Sequence, residues 1–406
     1  MININIYKKL LSNFFSMSIL QLFNFIIPII IFPYLIKIIG IKYYGLLSFA
    51  NATIFYFNVL VDYGFNLTAT REISINRDNK EKLIEIFSSV MIIKFILISF
   101  SFFLLYLLII FFNKFSQHKL IYFLMFGNVI GQALFPQWLF LGIEKMKYIT
   151  YINIFSKFIY LISIFIFITK SSDYWKVPLL TSISLIISGI ISIYFIRKKF
   201  GIHLKIQKIH TIKMYFKNSW NIFIVNFLPN LYNNFSIFFL GFFVSLTELG
   251  FFSFAKKIVD IFNSILYVIR DVSYPFLIKN TNKINTISKF IIYIGLVLSI
   301  IIIVISLFVL PVLFDEKIMY SLKYLLILSI SPLLLAISFA YGTNNLLIYK
   351  QDKVMRNITI VFSLIGFFLS LILIPILHSL GAAITIILSR IIMAYLTYKK
   401  AINIAK

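Results

Sequence analysis

Residues Glu248 to Pro275 read ELGFFSFAKKIVDIFNSILYVIRDVSYP, and the fold of the chain turns on how this stretch is understood. It is long and apolar enough to cross a bilayer, for which about 20 residues suffice. Yet it carries Lys256, Lys257, Asp260, Arg270 and Asp271. Charge at membrane depth costs roughly 2.5–3.5 kcal/mol per residue on insertion scales, so such groups face protein or a wet cavity. At helical spacing Lys256, Asp260, Asn263, Tyr267, Arg270 or Asp271, and Tyr274 fall on one stripe. An apolar helix with a polar stripe is a membrane helix lining a polar path.

The rest of the chain agrees. Of its 406 residues 61% are hydrophobic and only 13% charged, and the mean hydropathy is +0.98. A soluble protein cannot build its surface from this composition, so the chain is an integral membrane protein. The net charge of +25 sits in short basic clusters between apolar runs. That pattern reports orientation and contact with anionic lipid, and nucleic acid is not expected as a partner. With no cysteine, disulfides and thiolate metal sites are excluded. His118, His203, His210 and His378 show no ligand spacing, so neither a metal nor a cofactor is expected. The first apolar run is too long for a cleavable signal and leads straight into the next.

Apolar runs of spanning length predict an all-α protein of about twelve transmembrane helices. They lie near 14–39, 45–67, 88–112, 120–141, 148–169 and 177–196, then 218–243, 249–277, 289–313, 322–347, 356–376 and 380–398. Prolines 28, 33, 136, 229, 275, 311, 332 and 375 lie within or near the ends of these runs and predict kinks. With the N-terminus inside, inward segments hold 24 of the 38 Lys and Arg, outward loops 8, and six are intramembrane. The bias places both termini in the cytoplasm. A basic linker over residues 201–217 divides a six-helix lobe at 1–200 from another at 218–406.

The two lobes are related. Near an offset of 205, Tyr44-Gly45-Leu-Leu-Ser48-Phe49-Ala50 matches Leu249-Gly250-Phe-Phe-Ser253-Phe254-Ala255. At nearly the same offset Gly142-Ile-Glu144-Lys145 parallels Ile348-Tyr-Lys350-Gln, both short inward turns after a fourth helix. Six helices per half make the repeats parallel, about an axis along the membrane normal. The repeat carries the polar stripe with it, from Asn51, Asn58, Asp62 and Asn66 to Lys256, Asn263, Tyr267 and Asp271. Asn226, Asn230 and Asn233 on the seventh helix, Gln21 and Asn24 on the first, and Asn128 and Gln132 on the fourth add to it. A central polar cavity is the economical arrangement.

Each group also has a plainer explanation. Lys256 and Asp260, four apart, neutralise one another as helical pairs do. Asp62 and Arg71 lie toward the cytoplasmic interface, and Lys94, near an inward helix end, is expected to snorkel. Lys157 and Arg390 are deeper, though a helix–helix contact accounts for either, and the asparagines serve equally as interhelical glue. There is no Gly-x-x-x-x-Gly-Lys-Ser/Thr, no His-Glu-x-x-His and no nucleophile elbow, so no catalytic residue is assigned. No outward loop is much longer than a dozen positions, which disfavours a membrane polysaccharide polymerase or glycosyltransferase.

Four stretches are distinctive: Tyr44-Gly45 through Val61-Asp62-Tyr63-Gly64-Phe65-Asn66 to Ala69-Thr70-Arg71-Glu72-Ile73; Phe135-Pro136-Gln137-Trp138-Leu139-Phe140-Leu141-Gly142; Asn226 through Pro229-Asn230 to Asn234, Leu240 and Gly241; and Leu249-Gly250 to Lys256-Lys257, ending at Arg270 and Pro275. In these the chain resembles the O-antigen flippases, the polysaccharide-transporter branch of the multidrug/oligosaccharidyl-lipid/polysaccharide exporter superfamily. The likeness runs from the N-terminus to just beyond Pro275; Leu141 departs from the Gln common at its position. It implies two six-helix lobes and, as cargo, an oligosaccharide repeat unit on undecaprenyl pyrophosphate, flipped across the bacterial inner membrane. Polymerase and chain-length machinery of the same pathway are implied partners.

On that resemblance Lys256 and Arg270 are expected to contact the pyrophosphate, with Arg71, Lys157 and Arg390 as further basic contacts. Asn58, Asn226, Asn230 and Asn263 suit sugar hydroxyls. Asp62, Asp260 and Asp271 are candidates for ion coupling or for salt bridges. Flippases for capsule or another lipid-linked glycan and drug/cation antiporters share the architecture, but basic cavity residues argue against a cationic drug. A sugar exporter of the major facilitator type usually reads Gly-x-x-x-Asp-Arg-x-Gly-Arg-Arg after its second helix, where this chain has Arg71-Glu-Ile-Ser-Ile-Asn-Arg77-Asp78.

Overall fold

The computed structural model describes residues 4–227, 234–314 and 316–405, and among them every regular element is helical. Eight helical stretches are long and apolar enough to cross a membrane, and several, among them Ile19–Ile75, Lys119–Gly142 and Asp352–Asn403, contain a break. The chain forms two compact units. One comprises residues 1–39 and 50–227; the other comprises 40–49 and 228–406.

α1, Ile4–Asp62, opens the N-terminal unit except for its residues 40–49, which belong to the other, and its one non-helical residue is Gly40 (φ 78°, ψ 165°). That conformation is essentially restricted to glycine. Pro28 and Pro33, expected to kink this helix, sit in unbroken helical backbone. The expected second span to residue 67 stops earlier, because Tyr63 (φ 48°) and Gly64 (φ 77°) turn the chain into α2, Phe65–Ile75. A bulky residue at positive φ is strained. Tyr63 is held there by stacking on Phe216 and Phe223, with ring centroids 4.4 and 5.0 Å apart. Next come α3, Lys80–Phe111, and α4, Lys119–Leu134. Pro136 then breaks the expected fourth span, so that α5, Gln137–Gly142, follows as a separate turn. The unit is completed by α6, Met146–Phe167, α7, Lys176–Phe200, and α8, Ile209–Phe227.

The boundary between the units falls after Phe227, past the basic linker. The reason is the packing of α8, which starts at Ile209, well before the expected span. Ser219 and Thr68 share a hydroxyl–hydroxyl bond of 2.8 Å, and the Tyr215 hydroxyl donates to Glu85 at 3.1 Å.

In the C-terminal unit α9, Phe235–Leu240, precedes α10, Leu246–Lys279, the charged helix of the opening stretch. Its N-terminus is capped by Ser245, whose Oγ accepts from the Glu248 amide. After α11, Ile284–Val304, come α12, Leu322–Leu328, and α13, Ser331–Ser338. A π-helical segment, Phe339–Leu347, follows, and then α14, Asp352–Ala405, broken at His378 shortly after Pro375. Leu266, Ile291, Leu298, Leu335 and Phe339 pack together in its core.

The internal repeat is visible in backbone detail. At Glu144 (φ 58°) the amides of Glu144 and Lys145 donate to Leu141 and Phe140, a helix-ending turn with crossed 5→2 and 6→1 bonds. At the equivalent Lys350 (φ 58°) the amides of Lys350 and Gln351 donate to Leu347 and Leu346 with the same lengths of 3.0 and 2.8 Å. The shared Gly-x-x-Ser-Phe-Ala motif also meets its own copy within the C-terminal unit. A Cβ added to Gly45 would lie 2.7 Å from the Gly250 amide nitrogen, and one added to Gly250 would strike the Ile41 carbonyl. Small residues let helix backbones approach this closely where water is absent.

A polar cavity inside the N-terminal unit as candidate functional site

Asn58 and Asp62 lie one turn apart near the end of α1, and the Tyr63–Gly64 turn brings Asn66 in beside them. α3 contributes Lys94, α4 Gln132, the Pro136 break Gln137, and α6 Asn153. Together they line a cavity of about 280 Å³ whose wall also includes Val61, Val129, Phe135, Leu185 and Ser188. Every lining residue belongs to the N-terminal unit.

One wall is fixed by close packing of α4 on α7. Added Cβ atoms at Gly127 and Gly131 would lie 2.6 Å from the Cβ atoms of Ser182 and Leu185. The Ser182 hydroxyl also donates to the Leu124 carbonyl at 2.6 Å and bonds Asn128 Oδ1 at 2.9 Å. Asn128 is therefore glue between helices, and Gln132, one turn on, is left exposed at the mouth.

Lys94 is the residue the sequence misplaces. It does not snorkel: its side chain is 4% exposed, with Nζ 3.8 Å from Asp62 Oδ1. α3 starts at Lys80 rather than near 88, so Lys94 sits about 21 Å along the helix at 1.5 Å per residue rather than near its end. The usable signal was that an intramembrane charge calls for a named partner, and Asp62 was available. Asn58 Oδ1 is buried against this cavity with no hydrogen-bond partner among the described residues.

The other sequence candidates are dispersed. Lys157 donates to Asn24, and Arg71 is exposed beside Glu72 at 3.5 Å. Lys256 pairs with Asp260 at 2.6 Å. Arg270 donates to Asp271 at 2.7 and 2.9 Å while its guanidinium lies 4.9 Å from the Tyr267 ring centroid and 4.8 Å from that of Phe339. Asn263 and Arg390 are both buried and converge on Ser331: Asn263 Nδ2 donates to its hydroxyl at 3.2 Å, and Arg390 bonds the same hydroxyl. Asn230, Asn233 and the Asn226 side chain lie outside the described residues.

The family model described as "Polysaccharide biosynthesis protein" matches residues 10–281, two thirds of the chain. The chain belongs to this family. Among similar members, an Escherichia coli (strain K12) protein named "Putative O-antigen transporter" is 28% identical over 385 residues, 92% of each chain. A Shigella dysenteriae protein of the same name is 27% identical over 258 residues, 63% of this chain and 64% of that one. The solved "Lipid II flippase MurJ, inward closed conformation" superposes on 97% of the chain and 87% of its own length, with a TM-score of 0.70 at 12% identity. A solved Vibrio cholerae MATE transporter, VcmN, gives 0.54 at 14% identity, over 98% and 97%. The chain thus shares its fold with a lipid II flippase and a MATE transporter.

Proposed function

We propose that this chain is a flippase that carries undecaprenyl-pyrophosphate-linked O-antigen repeat units from the cytoplasmic to the periplasmic face of the inner membrane by alternating access. The observation that carries the reading is the 28% identity, running through 92% of both chains, to a protein named as an O-antigen transporter. The flippase fold supports it, and so does the intramembrane polarity. On this reading the chain is a transporter rather than an enzyme, both termini are cytoplasmic, and the pathway's polymerase and chain-length machinery act on what it delivers.

A pyrophosphate headgroup cannot cross lipid unaided, and basic side chains offset its desolvation. Arg270 and Lys256 are assigned to the headgroup, with Arg71 and Lys157 as further contacts. Arg390 and Asn263 are assigned to the interior of the C-terminal unit, where their bonds to Ser331 already hold them. Each of the three acids considered for coupling, Asp62, Asp260 and Asp271, has a basic partner within 4 Å.

Deleting the gene is expected to leave lipid-linked repeat units on the cytoplasmic leaflet and to abolish surface polymer. Full-length polymer on such cells, with no related gene to substitute, would overturn the reading, and accumulation of a capsule intermediate instead would reassign the cargo. A charge-assisted hydrogen bond contributes about 1.5–3 kcal/mol. Arg270→Ala is therefore expected to cut export about tenfold or more at unchanged membrane level. Arg270→Lys is expected to recover part of it, keeping the charge while losing the stacking on Tyr267 and Phe339. Equal export by Arg270→Ala and wild type would return Arg270 to a structural role.

A further inference from the structure

The cavity of the N-terminal unit and the equivalent region of its repeat have diverged. Asn263 is the repeat equivalent of Asn58, at the offset of 205. In the C-terminal unit Asn263 is buried, both ends of its amide are bonded to Ser331, and Arg390 closes on the same hydroxyl. In the N-terminal unit the matching asparagine lines an open cavity, and its Oδ1 is buried without a partner among the described residues. One copy satisfies its polar groups internally; the other lines a cavity and leaves a buried amide oxygen unpaired among the described residues.

We propose that the N-terminal cavity is a subsite for one uncharged sugar ring of the transported glycan. This rests on the flippase reading and gives its sugars a location. The charges decide against other ligands. Among the described residues, Lys94 and Asp62 are the only ionisable groups lining the cavity, and they offset one another, so neither a phosphate nor a free cation is favoured there. The remaining polar groups are chiefly the amides of Asn58, Asn66, Gln132, Gln137 and Asn153. Each amide both donates and accepts, as each sugar hydroxyl does. Phe135 offers an apolar surface to the C–H face of a ring. The volume of about 280 Å³ is many times what a single water needs. That is room for a ring and its hydroxyls, and not for a lipid tail or a whole repeat unit. Recognition through paired amide and hydroxyl groups rejects analogues that leave a buried polar atom unpaired, so the cavity selects among glycans.

The absence of cysteine permits a direct test. Gln132→Cys and Asn153→Cys, each in the full chain, are labelled with N-ethylmaleimide in two membrane preparations. One comes from cells that make the lipid-linked repeat unit, the other from cells lacking the initiating sugar-phosphate transferase. Labelling at both cysteines is expected to slow at least threefold in the substrate-bearing membranes, while Ser116→Cys, in an exposed turn, labels equally in both. Equal rates at Gln132→Cys and Asn153→Cys in the two preparations would overturn the subsite. The flippase reading stands or falls separately, on polymer display by the deletion strain. If one cysteine variant is missing from the membrane, the other decides.

Discussion

Replacing Lys94 by methionine is expected to lower both the melting temperature of the purified protein and its level in the membrane. Adding Asp62→Asn to the same chain is expected to restore most of the loss. Methionine keeps the unbranched stem, so the substitution removes charge and little volume. Removing one partner of a buried ion pair strands the other, which costs about 3–5 kcal/mol. Asp62 is about a third exposed and the pair is long at 3.8 Å, which places the effect near the lower end, about 3 kcal/mol. Against a stability of about 5–15 kcal/mol this is a large share, and for a unit of this size it corresponds to roughly 6 °C or more. The double variant leaves no isolated charge, so its stability recovers. Its export is expected to stay well below wild type, because both side chains also line the cavity proposed to hold a sugar ring. Full export by the double variant would make the pair structural only. Wild-type melting of Lys94→Met alone would remove the pair's contribution to stability.

The contrast between Lys94 and the charges of α10 shows what a sequence can convey about a membrane interior. Lys256 and Asp260 are four apart on one helix, and their pairing follows from helical geometry. Arg270 and Asp271 are adjacent, and their bond is equally local. Lys94 and Asp62 stand on different helices, with all of α2 between them in the chain. Their meeting depends on where α3 begins, and a polar first two turns, Lys80 to Glu85, hid that start behind the first apolar residues. The repeat was legible because duplication leaves a fixed offset, and the paired turns at Glu144 and Lys350 repeat it in hydrogen bonds. The break at Tyr63–Gly64 was not legible, since a tyrosine at positive φ is held there by rings of α8, remote in the sequence. Nor was the π segment at Phe339–Leu347 expected, although its Gly342-Thr343-Asn344-Asn345 run departs from an ordinary apolar helix.

Gly250→Leu and Gly45→Leu are expected to be among the most damaging single changes in the chain. Both glycines belong to the repeated motif, and each stands where neighbouring backbone leaves no room for a side chain. At Gly45 a Cβ would lie 2.7 Å from Gly250 N and 3.0 Å from its Cα. At Gly250 it would meet the Ile41 carbonyl, and Cγ1 of the same residue at 3.0 Å. The obstacles at both positions include backbone, which cannot rotate away as a side-chain tip does. Neighbouring Leu46, Phe49, Leu249 and Phe252 are all buried, so separating the segments opens the core around them. Overpacking a well-packed interior costs about 1–3 kcal/mol, and contact with backbone places alanine toward the upper end and leucine at or beyond it. Gly40 provides the comparison. An added Cβ there meets nothing within 4 Å, and only its φ of 78° resists substitution. Strain of that kind costs about 1–3 kcal/mol without displacing any neighbour. Gly40→Ala should therefore lower the melting temperature yet leave folded protein in the membrane. Gly250→Leu should leave little that elutes as a single species from a size-exclusion column. Wild-type elution and melting of Gly250→Leu would mean that the two motif copies do not touch, and the repeated glycine would then need another reason to recur at an offset of 205.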